Sequence, residues 1–311
     1  MSKGGFPKSE TALAAFTGLL GEFRKNNIAA KKCERDGINE HLTELSAQWD
    51  RRFPGLPRSY FPYSSLIGVS RRGVRDRFLK GIIADLLKGR EKGTCGIIIN
   101  PACVFGRGAR DLAARLPAFK VIATDIDPTW NRLYQFVFRW KDKANYEFRK
   151  DDIFNPAVQE IPAAVVFFGA CGSLSDAAMD YAIISNAQYL VCRTCCHDNI
   201  GGNTRIRKRF TLLNLVFRHK TFVFALIRAI KKENYYFSDK YSRRQYPRSE
   251  AARKLSSWEE FMEVSCNSVD SDICRTIIDL DRYLYLAEHG YKVWYKAELF
   301  VAAKAGEKEL S

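Results

Sequence analysis

Beyond Gly96 the chain alternates short apolar runs with stretches whose apolar positions recur at helical spacing. The runs "GIIIN" (96–100), "KVIAT" (120–124), "NYEFR" (145–149), "AAVVFF" (163–168) and "QYLVCR" (188–193) predict five strands. Between them lie predicted helices: Ala109 to Leu116, stopped by Pro117; Pro128, in a first turn, to about Trp140; and "SDAAMDYAIIS", with Ser175 as candidate N-cap. Strands joined by such short helical crossovers pair in parallel, with helices on both faces. The expected fold is therefore α/β, a doubly wound, mainly parallel sheet.

The flanking segments read differently. Thr11 to Phe23 and Ile38 to Trp49 have helical spacing, whereas "RRFPGLPRSYFPYSS" (51–65) is an irregular connector. Tyr60, Phe61 and Tyr63 of that connector either pack the extension on the core or line an acceptor pocket. In "SRRGVRDRFLKGIIADLLKG" (70–89), Val74, Phe78, Ile82, Ile83 and Leu86 share one helical face. Residues 1–90 are thus expected to form a helical N-terminal extension, and 91–311 the α/β domain. Near the far end, "LSSWEEFMEVS" opens a helix with capping-box spacing between Ser256 and Glu259. "IIDLDRYLYLAEHG" is another helix, stopped at Gly290, and "YKVWYKAELFVAAK" closes the chain as strand.

Sheets of this type bind ligands at the carboxyl ends of their strands, where the strand order reverses. Strand one is followed by the loop Asn100 to Gly108. Asp125 ends strand two, nineteen residues past Gly106, where a carboxylate can accept from a ribose diol. Asp151 and Asp152 follow strand three, with Ile153 placed to pack on a base. "GACGSLSD" (169–176) follows strand four, its small residues allowing close backbone approach, and "CCHD" (195–198) follows strand five.

These motifs resemble the class I S-adenosylmethionine-dependent methyltransferases. "NPACVFGRG" is similar to the glycine-rich first motif, with Asn100 at its acidic position. "ATDIDP" resembles the ribose-binding motif and "KDDIF" the adenine-contacting one. More narrowly, "GACGSLSD", "CCHD" and "IIDLDRYLYLAEHGYKV" look like one branch. It contains the Cys-Cys-His-His tRNA 2′-O-methyltransferases and the methyltransferase domain of a glutathione-transferase-like protein. The resemblance spans about residues 75–304. It implies S-adenosylmethionine as cofactor, held by Asn100, Ala102, Gly106, Asp125, Ile126, Asp152 and Ile153. The Gly169, Ala170 and Cys171 backbone would border the methyl donor.

Two positions depart from the motifs. Ala102 and Val104 replace loop glycines, and β-branched Val resists positive φ, so the loop is expected to take another shape or to leave less room for the methionine moiety. Asp198 stands where the branch has its second His. His197 is the candidate general base, since imidazole titrates near neutrality; the alternative is a His that satisfies local backbone. Cys192 and Cys195 form a CxxC, but odd spacing in a strand sends them to opposite faces, and no metal site is expected.

Composition adds a partner. Residues 201–255 hold fifteen Lys or Arg against three acids, +12 of the chain's total +15. "KKENYYFSDKYSRRQYPRSEAARK" interleaves tyrosines with these cations, a pattern that neutralises phosphates and stacks on unpaired bases. RNA bound through Arg205–Lys254 is the first expectation. A smaller acceptor under a lid and a membrane surface are the alternatives. A rival of another class is a nucleic-acid-binding protein that kept the fold and lost the cofactor; the loop lacks the GxGxxG spacing of nicotinamide enzymes. Nine cysteines without framework spacing, and no apolar leader in "MSKGGFPKSE", predict a reducing, cytoplasmic setting.

Overall fold

The computed structural model describes residues 9–26, 81, 83, 84, 87, 96–103, 106–128, 131, 132, 135, 142–157, 160–195, 246–267, 272–296 and 299–305. The expected helix at 38–49, the aromatic connector, Val104, Cys196 to Asp198 and the insertion up to Gln245 lie outside them.

Seven strands form one sheet: β1 Ile97–Asn100, β2 Lys120–Asp125, β3 Tyr146–Lys150, β4 Ala164–Cys171, β5 Tyr189–Cys195, β6 Tyr291–Lys296 and β7 Leu299–Lys304. Their order is β3-β2-β1-β4-β5-β7-β6. The first five run parallel, and β7 lies antiparallel between β5 and β6. This is the Rossmann-like methyltransferase arrangement, as the sequence predicts. One correction concerns the end of the chain: the single closing strand is two, paired antiparallel from Tyr291↔Lys304 to Lys296↔Leu299. From Tyr291 to Lys304 the sequence holds no Gly or Pro to mark the break between the two strands.

Strand alternation divides the core. Ile99, Ile122, Val165, Leu190 and Ala302 face one helical layer, while Ile98, Val121, Val166, Val191 and Val301 face the other. The first layer contains α1 Ser9–Asn26, α3 Ser173–Ile184, α4 Glu250–Arg253, α5 Trp258–Asn267 and α6 Asp272–Glu288. Helix α1 buries Ala12, Ala15, Phe16, Leu19, Leu20 and Phe23, so its apolar stripe is part of the α/β core. Each buried Leu or Phe there contributes roughly 1.5–3 kcal/mol. Arg24 ties the end of α1 to α5 through a two-pronged bond to Glu260 at 2.6 and 2.9 Å. The second layer has α2 Arg107–Arg115 and the helical residues Ile83 and Leu87, which are buried with it.

Several ends move by a residue or more. Helix α2 begins at Arg107, not Ala109, with Gly106 at its N-cap. Helix α3 begins at Ser173 with Gly172 as N-cap, and Ser175 sits inside the first turn, its N–H bonded to Gly172 O at 3.0 Å. The hydroxyl capping α5 belongs to Ser257, which accepts from Glu260 N at 3.2 Å, one residue past the expected box. Helix α6 ends as expected, with Gly290 at φ 81°.

Candidate cofactor site at the sheet reversal

The strand order reverses between β1 and β4, and there the two strands part. Their pairing stops at Ile99↔Val165, although β1 stays paired with β2 through Asn100↔Ala123. Buried Asn100 bridges the gap, its Nδ2 donating to Val166 O at 2.8 Å. A carboxylate only accepts, so the acid expected at this position of the motif could not make that bond. The Asn is fitted to this strand junction.

Ala102 adopts φ 45°, the left-handed conformation a glycine would take freely. With a Cβ in that conformation, the chain bears strain on the order of 1–2 kcal/mol. Surrounding bonds hold the shape: Cys103 N donates to Thr124 O at 2.9 Å and Gly106 N to Cys103 O at 3.0 Å. Burial, and then the nearby Asp125 carboxylate, push the Cys103 thiol up, so it stays protonated.

Gly106 is required for two reasons. Its φ is 67°, and a Cβ would lie 2.5 Å from Tyr146 Oη and 2.8 Å from Arg110 Nη1. Those groups belong to a buried cluster in which Arg110 donates to Asn131 Oδ1 at 2.5 Å and to Asp142 Oδ1 at 2.6 Å. The guanidinium also stands over the Tyr146 ring, 4.6 Å from its centroid. Gly108 lets α2 approach β4, because a Cβ there would meet the Phe168 ring at 2.5 Å.

Asp125 ends β2 buried, and Oδ1 accepts from Asp127 N at 3.1 Å. A carboxylate offers about four acceptor positions, so this turn bond and a diol can share one group. Ile126, next to it, is one of the exposed large apolar side chains. At the end of β3, Asp151 is engaged on both oxygens, by Ala157 N at 3.0 Å and Tyr181 Oη at 3.2 Å. Asp152 accepts Phe154 N at 3.0 Å. Ile153 is buried in the core, whereas Ile126 is exposed.

Gly169, Ala170 and Cys171 are not a loop after strand four but its last residues. A bulge makes this possible: between Phe167↔Cys192 and Ala170↔Thr194 two residues of β4 oppose one of β5. The strand then reaches Cys171↔Cys195 and turns at Gly172, whose φ of 56° and ψ of −122° suit glycine. Asn100, Ala102, Asp125, Asp152 and the bulged end of β4 thus share the carboxyl edge of adjacent strands. His197 lies outside the described residues. Cys192 is fully buried, and burial pushes its thiol up to about 12, the state of a packing thiol.

One group was not foreseen. Asp176, in the first turn of α3, is fully buried beside Arg282, Arg248 and Tyr246. Burial raises its carboxyl, but the Arg282 and Arg248 charges and hydrogen bonds from Arg282 and Tyr246 outweigh that, and the net direction is down. The legible signal was "DLDR", charged residues inside an otherwise apolar helical stretch. Among the described residues no group of three or more His, Cys, Asp or Glu is arranged to hold a metal ion, and no helix is long and apolar enough to cross a membrane.

No protein-family model and no curated protein sequence matches the chain. Solved structures do. A magnesium protoporphyrin IX methyltransferase from Synechocystis PCC 6803, with bound S-adenosylhomocysteine, is 12% identical, over 87% of this chain and 97% of that one, with a TM-score of 0.36. The antibiotic-resistance methyltransferase Kmr is 12% identical, over 73% and 93%, also at 0.36. An amino pentose methyltransferase from Micromonospora echinaspora is 15% identical at 0.30, over 43% of this chain, which spans 59% of that protein's length.

Proposed function

We propose that the chain is an S-adenosylmethionine-dependent methyltransferase whose acceptor is RNA. The observation that carries the cofactor reading is the parted β1–β4 junction, with Ala102 held left-handed in the loop and Asp125 at the adjoining strand end. The residues fit such a group. Asp125 would accept from the ribose hydroxyls, Ile126 would cover a face of the adenine and Asp152 would meet its amino group. The loop from Asn100 to Gly106 would run beside the methionine portion. The bulged Gly169–Cys171 backbone would border the reacting centre.

When bound, the sulfonium supplies an electrophilic methyl group. What remains for the protein is to align the acceptor and exclude water, which accounts for much of the rate of such transfers. His197 is proposed as the base for a hydroxyl acceptor, on its sequence position after β5. The RNA reading rests on the +12 of residues 201–255 and their interleaved tyrosines.

The test is calorimetric titration with S-adenosylhomocysteine, wild type beside Asp125→Ala. Micromolar binding by the wild type, lost in a folded variant, is expected. A folded wild-type chain that takes up no S-adenosylhomocysteine would overturn the reading.

A further inference from the structure

We propose that Arg282 is a positioning residue of the methyl-donor site: from α6 it holds the turn that ends β4, an inference resting on the cofactor reading above. The two segments it joins, "GACGSLSD" and "IIDLDR", are 110 positions apart from Gly172 to Arg282. The guanidinium engages them with all its nitrogens. Nη2 donates to Gly172 O at 3.2 Å and to Asp176 Oδ2 at 3.3 Å, Nε to Asp176 Oδ1 at 2.8 Å, and Nη1 to Asp279 Oδ1 at 3.0 Å.

Stability is a poor explanation for this arrangement. Arg282 and Asp176 are 1% and 0% exposed, and well-packed apolar side chains would commonly fill such a space at no loss of stability. Geometry is a better one. Gly172 closes a bulged strand in a conformation with positive φ, and no side chain caps the helix it begins. The planar fork of Arg282 fixes the Gly172 carbonyl and the first turn of α3 relative to each other, which a point-charge ammonium cannot do. Asp176 is braced from its other side by Tyr246 Oη at 2.7 Å, while Arg248 Nη1 holds the Asp176 carbonyl at 3.0 Å. The clamp is therefore rigid where Gly169–Cys171 would meet the methyl donor.

The experiment compares S-adenosylhomocysteine binding by the wild type, Arg282→Lys and Tyr291→Phe, well below their unfolding temperatures. Tyr291 Oη bonds Ala182 O and Ala187 O at 3.0 and 2.8 Å, toward the other end of α3, so its loss supplies a destabilised control away from the turn. The expected result is binding weakened about tenfold or more by Arg282→Lys, with Tyr291→Phe binding as the wild type does. If Arg282→Lys does not fold, Asp279→Asn, which keeps the shape and loosens the Nη1 contact, is expected to weaken binding in the same direction. Unchanged affinity in the folded position-282 or position-279 variant, or equal loss in Tyr291→Phe, overturns the proposal alone. A wild-type chain that binds nothing overturns the cofactor reading and this proposal with it.

Discussion

At the scale of single residues, the first-motif loop shows how a departure from a pattern can be compensated locally. Ala102 takes a left-handed backbone that costs a side chain energy, and two backbone hydrogen bonds around Cys103 and Gly106 hold the chain there. The pattern of motif residues could identify the loop but not its conformation, because a positive φ at Ala is decided by neighbours rather than by Ala itself. Asn100 makes the same point with a sharper consequence. Its amide donates to Val166 O, so Asn100→Asp, which restores the motif's acid, would set an acceptor against an acceptor. Leaving a buried polar group unpaired costs about 1–3 kcal/mol. Asn100→Asp is therefore expected to lower the urea midpoint at neutral pH by a corresponding amount; a midpoint equal to the wild type's would show that the bond contributes nothing.

At the scale of elements, the five parallel strands were legible because each combines an apolar run, or in β3 an alternation of aromatic and charged residues, with turn-forming neighbours. The strand ends were less so. The bulge that extends β4 through Cys171 depends on pairing with β5, and pairing partners leave no mark within either strand. What α6 grips was also hidden: Asp281 and Glu288, two turns apart, both face the chain at 248–251. Asp281 accepts Arg248 N and Ser249 N at 2.9 Å, and Glu288 accepts Glu250 N and Ala251 N at 2.9 and 3.0 Å. Burial outweighs those donors and the Arg248 charge, and pushes the Asp281 carboxyl up to about 7. In the unfolded chain the group titrates near about 3.9, so between those values the native state keeps a proton that the unfolded state has lost. Its contribution to stability is therefore complete below the unfolded value and is lost as pH rises through about 7. Asp176, shifted down, has the opposite slope and loses its contribution only as pH falls. Relative to Asp281→Asn, which cannot titrate, the wild type is expected to lose stability as pH rises from about 5 to about 8. Urea unfolding at both values checks this, and parallel pH dependence in the two proteins would refute it.

At the scale of the molecule, two distant parts of the sequence meet. Tyr246–Ser249, near the end of the basic segment in sequence, is clamped to Asp176 and Asp281, beside the turn proposed to border the methyl donor. A basic segment whose last residues are held at that edge suits an acceptor that is itself a polyanion and whose reactive atom must reach the β4 end. If RNA is that acceptor, each cation that neutralises a phosphate releases a counterion, and affinity falls steeply with salt. Replacing Arg205, Arg207, Lys208 and Arg209 by Ala is expected to weaken single-stranded RNA binding. The slope of log affinity against log salt should become shallower by up to about 3. S-adenosylhomocysteine affinity should not change, because none of the four is among the residues proposed to hold the cofactor. An unaltered slope would assign the segment's charge to solvent or to another surface and leave a small acceptor as the better reading. Loss of both affinities together would mean that the insertion supports the fold of the site rather than reading the acceptor.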